Sequence, residues 1–129
     1  MNNLEVIRQG YKLFSEGNVA GVLQLFQPDI VWDECKSFPF NENDGLYKGT
    51  DSVAKNVFAM LPRYYNDFRI EIDDLIGSGD KVVMVGHYVG TWKETGKSFR
   101  ANATHVWTLK EGKASHFFQA VDPAEIMGN

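Results

Sequence analysis

The chain has 129 residues, a length that suits one domain, residues 1–129, with a sizeable buried core. Thirteen basic against seventeen acidic residues leave a net charge of −4, so the chain lacks the basic face that phosphate backbones require, and nucleic acid is not an expected partner. No apolar run approaches membrane-spanning length, Met1-Asn2-Asn3-Leu4-Glu5 has no basic-then-apolar leader pattern, and the single cysteine, Cys35, allows no internal disulfide, so a cytoplasmic protein away from membranes is expected.

Asn3 is a suitable N-cap for a first helix to about Glu16, with Leu4, Ile7, Tyr11 and Phe14 forming one apolar stripe. Gly17 stops it, and Asn18 caps a short second helix carrying Val19, Val22, Leu23 and Phe26, which Pro28 ends. Asp29–Cys35 alternates as a strand, with Ile30, Trp32 and Glu34 on one face and Val31, Asp33 and Cys35 on the other. A register shift of one residue would exchange Asp33 and Glu34. Lys36–Gly49 is rich in Phe, Asn, Pro and Gly without a period, and reads as a long loop of the kind that serves as a lid.

Thr50 or Asp51 caps a third helix to about Tyr65, with Val53, Val57, Met60, Leu61 and Tyr64 as its stripe and Pro62 near its end. Phe68–Ile76 is the next strand, followed by a turn at Gly77-Ser78-Gly79-Asp80 and a three-strand meander, Lys81–Thr91, Ser98–Lys110 and Ala114–Val121. Asp122-Pro123 closes the last strand. The order is helix, helix, strand, helix, four strands: an α+β class. A meander this long curls readily into a half-barrel, the helices supply a roof, and His105 falls mid-strand where it would line the hollow. A small-molecule pocket follows.

Several local patterns resemble the nuclear transport factor 2-like superfamily, in its SnoaL-like and ketosteroid-isomerase-like branch. They are Glu16-Gly17-Asn18, Leu25-Phe26-Gln27-Pro28-Asp29-Ile30-Val31-Trp32, Gly45-Leu46-Tyr47-Lys48-Gly49, Gly79-Asp80-Lys81-Val82-Val83, and the run from His105 to Lys113, in that order over almost the whole chain. The resemblance implies a cone-shaped, strongly curved, mostly antiparallel sheet wrapped round three helices of the N-terminal half, with the open end as the pocket. It places the carboxylate base of that branch on Glu34 and its oxyanion-stabilising acid on His105. The tyrosine that shares the oxyanion site falls near Gly10, which has no donor, with Tyr11 beside it. Met84, Tyr88, Phe117, Gln119 and Val121 then face the pocket, with Trp32, Trp107 and Met60 as further lining. His87 and His116 point away. Epoxide hydrolysis, a further activity of the superfamily, would draw on Asp122 near the end of the last strand.

A carboxylate on an apolar wall is a stronger base, because desolvation disfavours its charged form. Proton abstraction next to a carbonyl needs such a base and a donor for the developing oxyanion, and His105 suits donor or base. The plainer alternatives are a solvated or salt-bridged Glu34 and a His105 bonded to a neighbouring side chain. Gln119 and Tyr88 are expected to orient a ligand. His87, His105 and His116 lie on three strands without metal-binding spacing, so neither metal nor organic cofactor is expected.

The leading expectation is therefore a cofactor-independent isomerase, polyketide cyclase or related lyase or hydrolase acting on a small apolar carbonyl compound. The alternative is a non-catalytic ligand-binding or dimerisation module. Val83, Val85, His87 and Val89 would sit on the outer sheet face, an apolar row that predicts a homodimer under either reading.

Overall fold

The computed structural model describes residues 2–35 and 43–127. Helix α1, Asn3–Ser15, is capped by Asn2, one residue earlier than the predicted cap Asn3. The Asn2 side chain accepts from the Glu5 amide at 2.9 Å, while Asn3 donates instead to the Gly79 carbonyl at 3.2 Å and ties the helix to a strand turn. At its other end Gly17 adopts φ 77°. The Gly17 amide then reaches the Phe14 carbonyl at 3.0 Å and the Asn18 amide reaches Leu13 at 2.9 Å, the paired closure that a left-handed glycine permits. Asn18 caps the short α2, Val19–Leu23, by accepting from Gly21.

Strand β1 spans Phe26–Asp33, so Pro28 lies inside it and not at the end of α2. Pairing with the last strand holds at Phe26↔Ala114 and resumes only at Val31↔His116. Proline, without an N–H, is tolerated in that irregular interval. The predicted loop also contains a strand, β2 at Leu46–Lys48, antiparallel to β1; three residues are too few to show a period. Residues 36–42 of the expected lid fall outside the described residues.

The predicted third helix is broken into α3, Thr50–Asn56, a 3₁₀ turn at Phe58–Met60, and α4, Leu61–Tyr64. Pro62 explains the break, since within a continuous helix its ring would meet the Phe58 carbonyl and it has no amide hydrogen to donate. Four long strands follow: β3 Tyr65–Ser78, β4 Lys81–Trp92, β5 Ser98–Lys110 and β6 Lys113–Val121. The chain then forms α5, Pro123–Met127, which the sequence reading did not include.

The six strands form one sheet in the order β2-β1-β6-β5-β4-β3. Every adjacent pair is antiparallel except β1–β6, which is parallel. Burial alternates along β4 and β5, so one face of the sheet meets the helices and the other is open. The β3–β4 pairing is irregular between Ile72 and Asp74, and opposite it Gly86 is buried so closely under β3 that a Cβ there would lie 2.0 Å from the Glu71 carbonyl oxygen.

Two clusters fill the concave side. The larger joins Val6 and Ile7 of α1 to Phe26, Ile30, Trp32, Trp107 and Phe117. The smaller gathers Tyr65, Tyr88, Phe99, Ala101, Ala103 and Ile126. The α+β class and the curled sheet with helices drawn from the N-terminal half are as the sequence implied.

Candidate functional site

Between α1, the segment 57–61 and the concave sheet lies a cavity with about 70 Å³ open to the centres of water-sized molecules. Its wall is overwhelmingly apolar and aromatic. Phe14 of α1, Phe26 and Trp32 of β1, Phe58, Phe68, Trp107 and Phe117 all contribute. Trp32 and Phe117 stack with ring centroids 3.8 Å apart at 25°, which fixes one flat side of the chamber.

Glu34, His105 and Gln119 are the buried polar side chains of the described residues that border this space. Glu34 follows directly on β1 and continues the inward face of Ile30 and Trp32. It is 5% exposed, whereas Asp33 takes the opposite face, so the structure resolves that pair in favour of Glu34. Its carboxyl accepts from Trp32 Nε1 at 3.0 Å. Burial pushes the carboxyl up to about 7, and the indole N–H offsets part of that rise by favouring the ionised form. Its negative charge also helps hold the Tyr65 and Tyr88 hydroxyls protonated, which places it electrostatically beside both.

His105 sits mid-β5 and is bonded to neighbouring side chains at both ring nitrogens. Nδ1 meets the Tyr11 hydroxyl at 2.7 Å and Nε2 meets the Tyr88 hydroxyl. Burial drives its pKa down to about 3, so the ring is neutral at physiological pH. A neutral imidazole has one N–H and one lone pair, so it donates to one tyrosine and accepts from the other. The chain extends both ways: Trp107 Nε1 donates to the Tyr11 oxygen at 2.8 Å, and Gln119 Nε2 donates to the Tyr88 oxygen at 2.6 Å. Five side chains from α1, β4, β5 and β6 thus form a continuous hydrogen-bonded line along the wall. The Gln119 Oε1 atom, closed off from solvent, has no hydrogen-bond partner.

The structure therefore brings Glu34, His105, Tyr11, Trp32, Tyr88, Trp107, Phe117 and Gln119 to one cavity. Four expected members are elsewhere. Met84 is fully buried on the inward face of β4 but does not border the cavity, and Met60 and Val121 lie outside its wall. Asp122 is exposed, and its carboxylate caps α5 by accepting from the Ala124 amide at 3.0 Å and the Glu125 amide at 3.4 Å; this is structural work at the end of β6. Phe14, Phe58 and Phe68 line the cavity without having been singled out by the sequence, since nothing in their spacing separates a core ring from a lining ring. Gly10 does border the cavity, one residue before the tyrosine that supplies the hydroxyl. Among the described residues no group of three or more His, Cys, Asp or Glu is arranged to hold a metal ion, and no helix is long and apolar enough to cross a membrane.

Comparison with known proteins agrees with this architecture. A family model described as a SnoaL-like domain matches residues 7–117. An NTF2-like protein from Burkholderia thailandensis is 30% identical, with 99% of this chain and 96% of that chain covered at a TM-score of 0.92. One from Burkholderia pseudomallei is 26% identical, with 99% and 97% covered at a TM-score of 0.87. TerC, whose structure was solved with polyporic acid, is 23% identical and shares the fold at a TM-score of 0.85, with 98% and 95% covered. No curated protein matches the chain significantly. The family model spans most of the sequence, and the curled sheet with helices from the N-terminal half accords with it: the chain belongs to the SnoaL-like domain family.

Proposed function

We propose that the protein is an enzyme that moves a proton next to the carbonyl of a small apolar compound, as an isomerase, cyclase or hydratase does, without an organic cofactor or metal. The observation that carries this reading is Glu34: a carboxyl enclosed by aromatic rings, held by one indole N–H, and titrating at about 7. A base is most effective when its pKa lies near the working pH, and burial supplies that match here. The developing oxyanion takes a hydrogen bond from Tyr11. His105 is a positioning residue, since its neutral ring is engaged on both sides and its pKa of about 3 makes it a poor base. TerC binding polyporic acid supports an organic ligand in a chamber of this kind.

The test is deuterium incorporation next to the carbonyl of 1-tetralone and 2-tetralone in heavy water, followed by proton NMR. The wild type accelerates exchange and Glu34→Gln returns it to the uncatalysed rate. No acceleration by the wild type across such ketones, or full acceleration by the variant, rejects the reading.

A second reading, a ligand carrier without turnover, is favoured by one observation: Trp107, Tyr11, His105, Tyr88 and Gln119 are bonded to one another. Under it, ketones bind but do not exchange. In either case a homodimer forms through the outer sheet face. There Ile76, Val83, Val106 and Phe118 are register neighbours across β3, β4, β5 and β6, and Ile76 and Phe118 are 50% and 43% exposed. An apolar row of that length on an open sheet is a self-association surface.

A further inference from the structure

We infer that the ligand carries a hydrogen-bond donor as well as its carbonyl, as a phenol or a stable enol does, and gives that hydrogen to the Gln119 amide oxygen. The inference deepens the pocket reading above and rests on it for the carbonyl.

Gln119 is 2% exposed, forms part of the cavity wall and lies directly opposite His105 in the β5–β6 register. Its amide nitrogen is used, by the Tyr88 hydroxyl, and its oxygen is not. A buried acceptor left without a donor is uncommon, because water's hydrogen bonds were given up to bury it. Every other polar tip on this wall has a partner within it.

The direction of the line reinforces the point. When a ligand carbonyl accepts from the Tyr11 O–H, the Tyr11 oxygen is left to accept from both Trp107 and His105 Nδ1–H. That assigns the proton of His105 to Nδ1, so Nε2 accepts from the Tyr88 O–H. Tyr88 in turn accepts from the Gln119 N–H. All bonds then run one way, from Gln119 to the ligand carbonyl, and each polarises the next. Only the amide oxygen at the start of the line still lacks a donor. A hydroxyl on the same flat ligand supplies it, with the rings of Trp32 and Phe117 stacked as one wall of the chamber. A plain ketone would leave the atom unmet. A methyl ether would add bulk and oppose it with a second acceptor.

The experiment is calorimetric binding of 5-, 6- and 7-hydroxy-1-tetralone, each paired with its methyl ether, with unsubstituted 1-tetralone as reference. At least one phenol is expected to bind at least about tenfold more tightly than its ether, because the ether leaves the buried amide oxygen without a donor. In Gln119→Met, of similar volume, that preference falls below about threefold, whatever the change in 1-tetralone affinity. Phenols and ethers within about threefold of each other in the wild type, a preference surviving in Gln119→Met, or no binding by any member overturns the inference. The wild-type pairs decide it even if the variant folds poorly. Binding without deuterium exchange, with the phenol preference intact, would sink the proton-transfer reading and leave this one standing.

Discussion

Trp32 and Glu34 stand two residues apart on one face of β1, and the indole Nε1–H of the first donates to the carboxyl of the second at 3.0 Å. The bond favours the ionised carboxylate, burial opposes it, and burial wins, leaving the group at about 7. Trp32→Phe keeps the aromatic wall and removes the donor. The Glu34 midpoint, read by carbon-13 NMR of the carboxyl, should then rise further. A midpoint unchanged or lowered would show that the indole does not hold the charge.

The same carboxyl makes stability depend on pH in a stated window. It titrates near 4.5 in the unfolded chain and near 7 in the folded one. Below 4.5 both states are protonated and no difference arises. Between 4.5 and 7 the folded state binds more protons, so stability falls as pH rises, by at most about 3 kcal/mol. Glu34→Gln lacks this loss. Urea denaturation at pH 5 and pH 8 should show the variant gaining on the wild type at the higher pH. Parallel curves across that range would mean that the carboxyl is solvated.

His105 contributes the opposite limb. Its pKa falls from 6.5 unfolded to about 3 folded, so the unfolded state binds more protons between those values, and stability is lost as pH falls from about 6.5 toward 3. Burial is the cause, with the tyrosine hydroxyls occupying both nitrogens. His105→Gln removes the titration and should flatten the acid limb of the stability curve, although the unmet Tyr11 or Tyr88 partner lowers the whole curve by about 1–3 kcal/mol. An acid limb of undiminished steepness in the variant would assign it to other groups.

These limbs show how far the sequence could be read. The alternation Ile30, Trp32, Glu34 was enough to place a carboxylate on an apolar wall, and mid-strand His105 was enough to put an imidazole in the same cavity, because strand side chains obey a strict period of two. Tyr11 lay on a helical stripe and faced inward for the same kind of reason. What the pattern did not reveal is who bonds to whom. The line from Trp107 to Gln119 joins residues up to 96 positions apart, and only sheet curvature and the approach of α1 bring them together. Met84 fails for a related reason. It shares the inward face with Tyr88, but the face is longer than the cavity. Short elements such as β2 and α5 escape recognition because three to five residues carry too little periodicity.

The outer face makes an independent prediction. Phe118 lies at one end of the row Ile76–Val83–Val106–Phe118, on β6 and away from the cavity. Phe118→Glu places a charge in an apolar contact without touching the interior. Light scattering after size exclusion should report a dimer for the wild type and a monomer for the variant, with the far-ultraviolet spectrum preserved. A wild-type monomer at all accessible concentrations would reject the interface.

Gly86 concerns the curvature on which the cavity depends. The irregularity in β3 between Ile72 and Asp74 bends that strand over β4. At the crossing a Cβ on Gly86 would sit 2.0 Å from the Glu71 carbonyl oxygen and 3.0 Å from Met84 Sδ. The thioether can swing aside, but the carbonyl is backbone held in the β3–β4 ladder, so relief requires moving a strand. Gly86→Ala should therefore destabilise the fold by about 1–3 kcal/mol or more, the range for forcing extra volume into a packed interior. Tyr88 is two residues along the same face and donates or accepts at His105, so the displaced strand should also weaken ligand affinity in the calorimetric series. A Gly86→Ala protein with wild-type urea midpoint and wild-type affinity would show that β3 does not press on β4 as described.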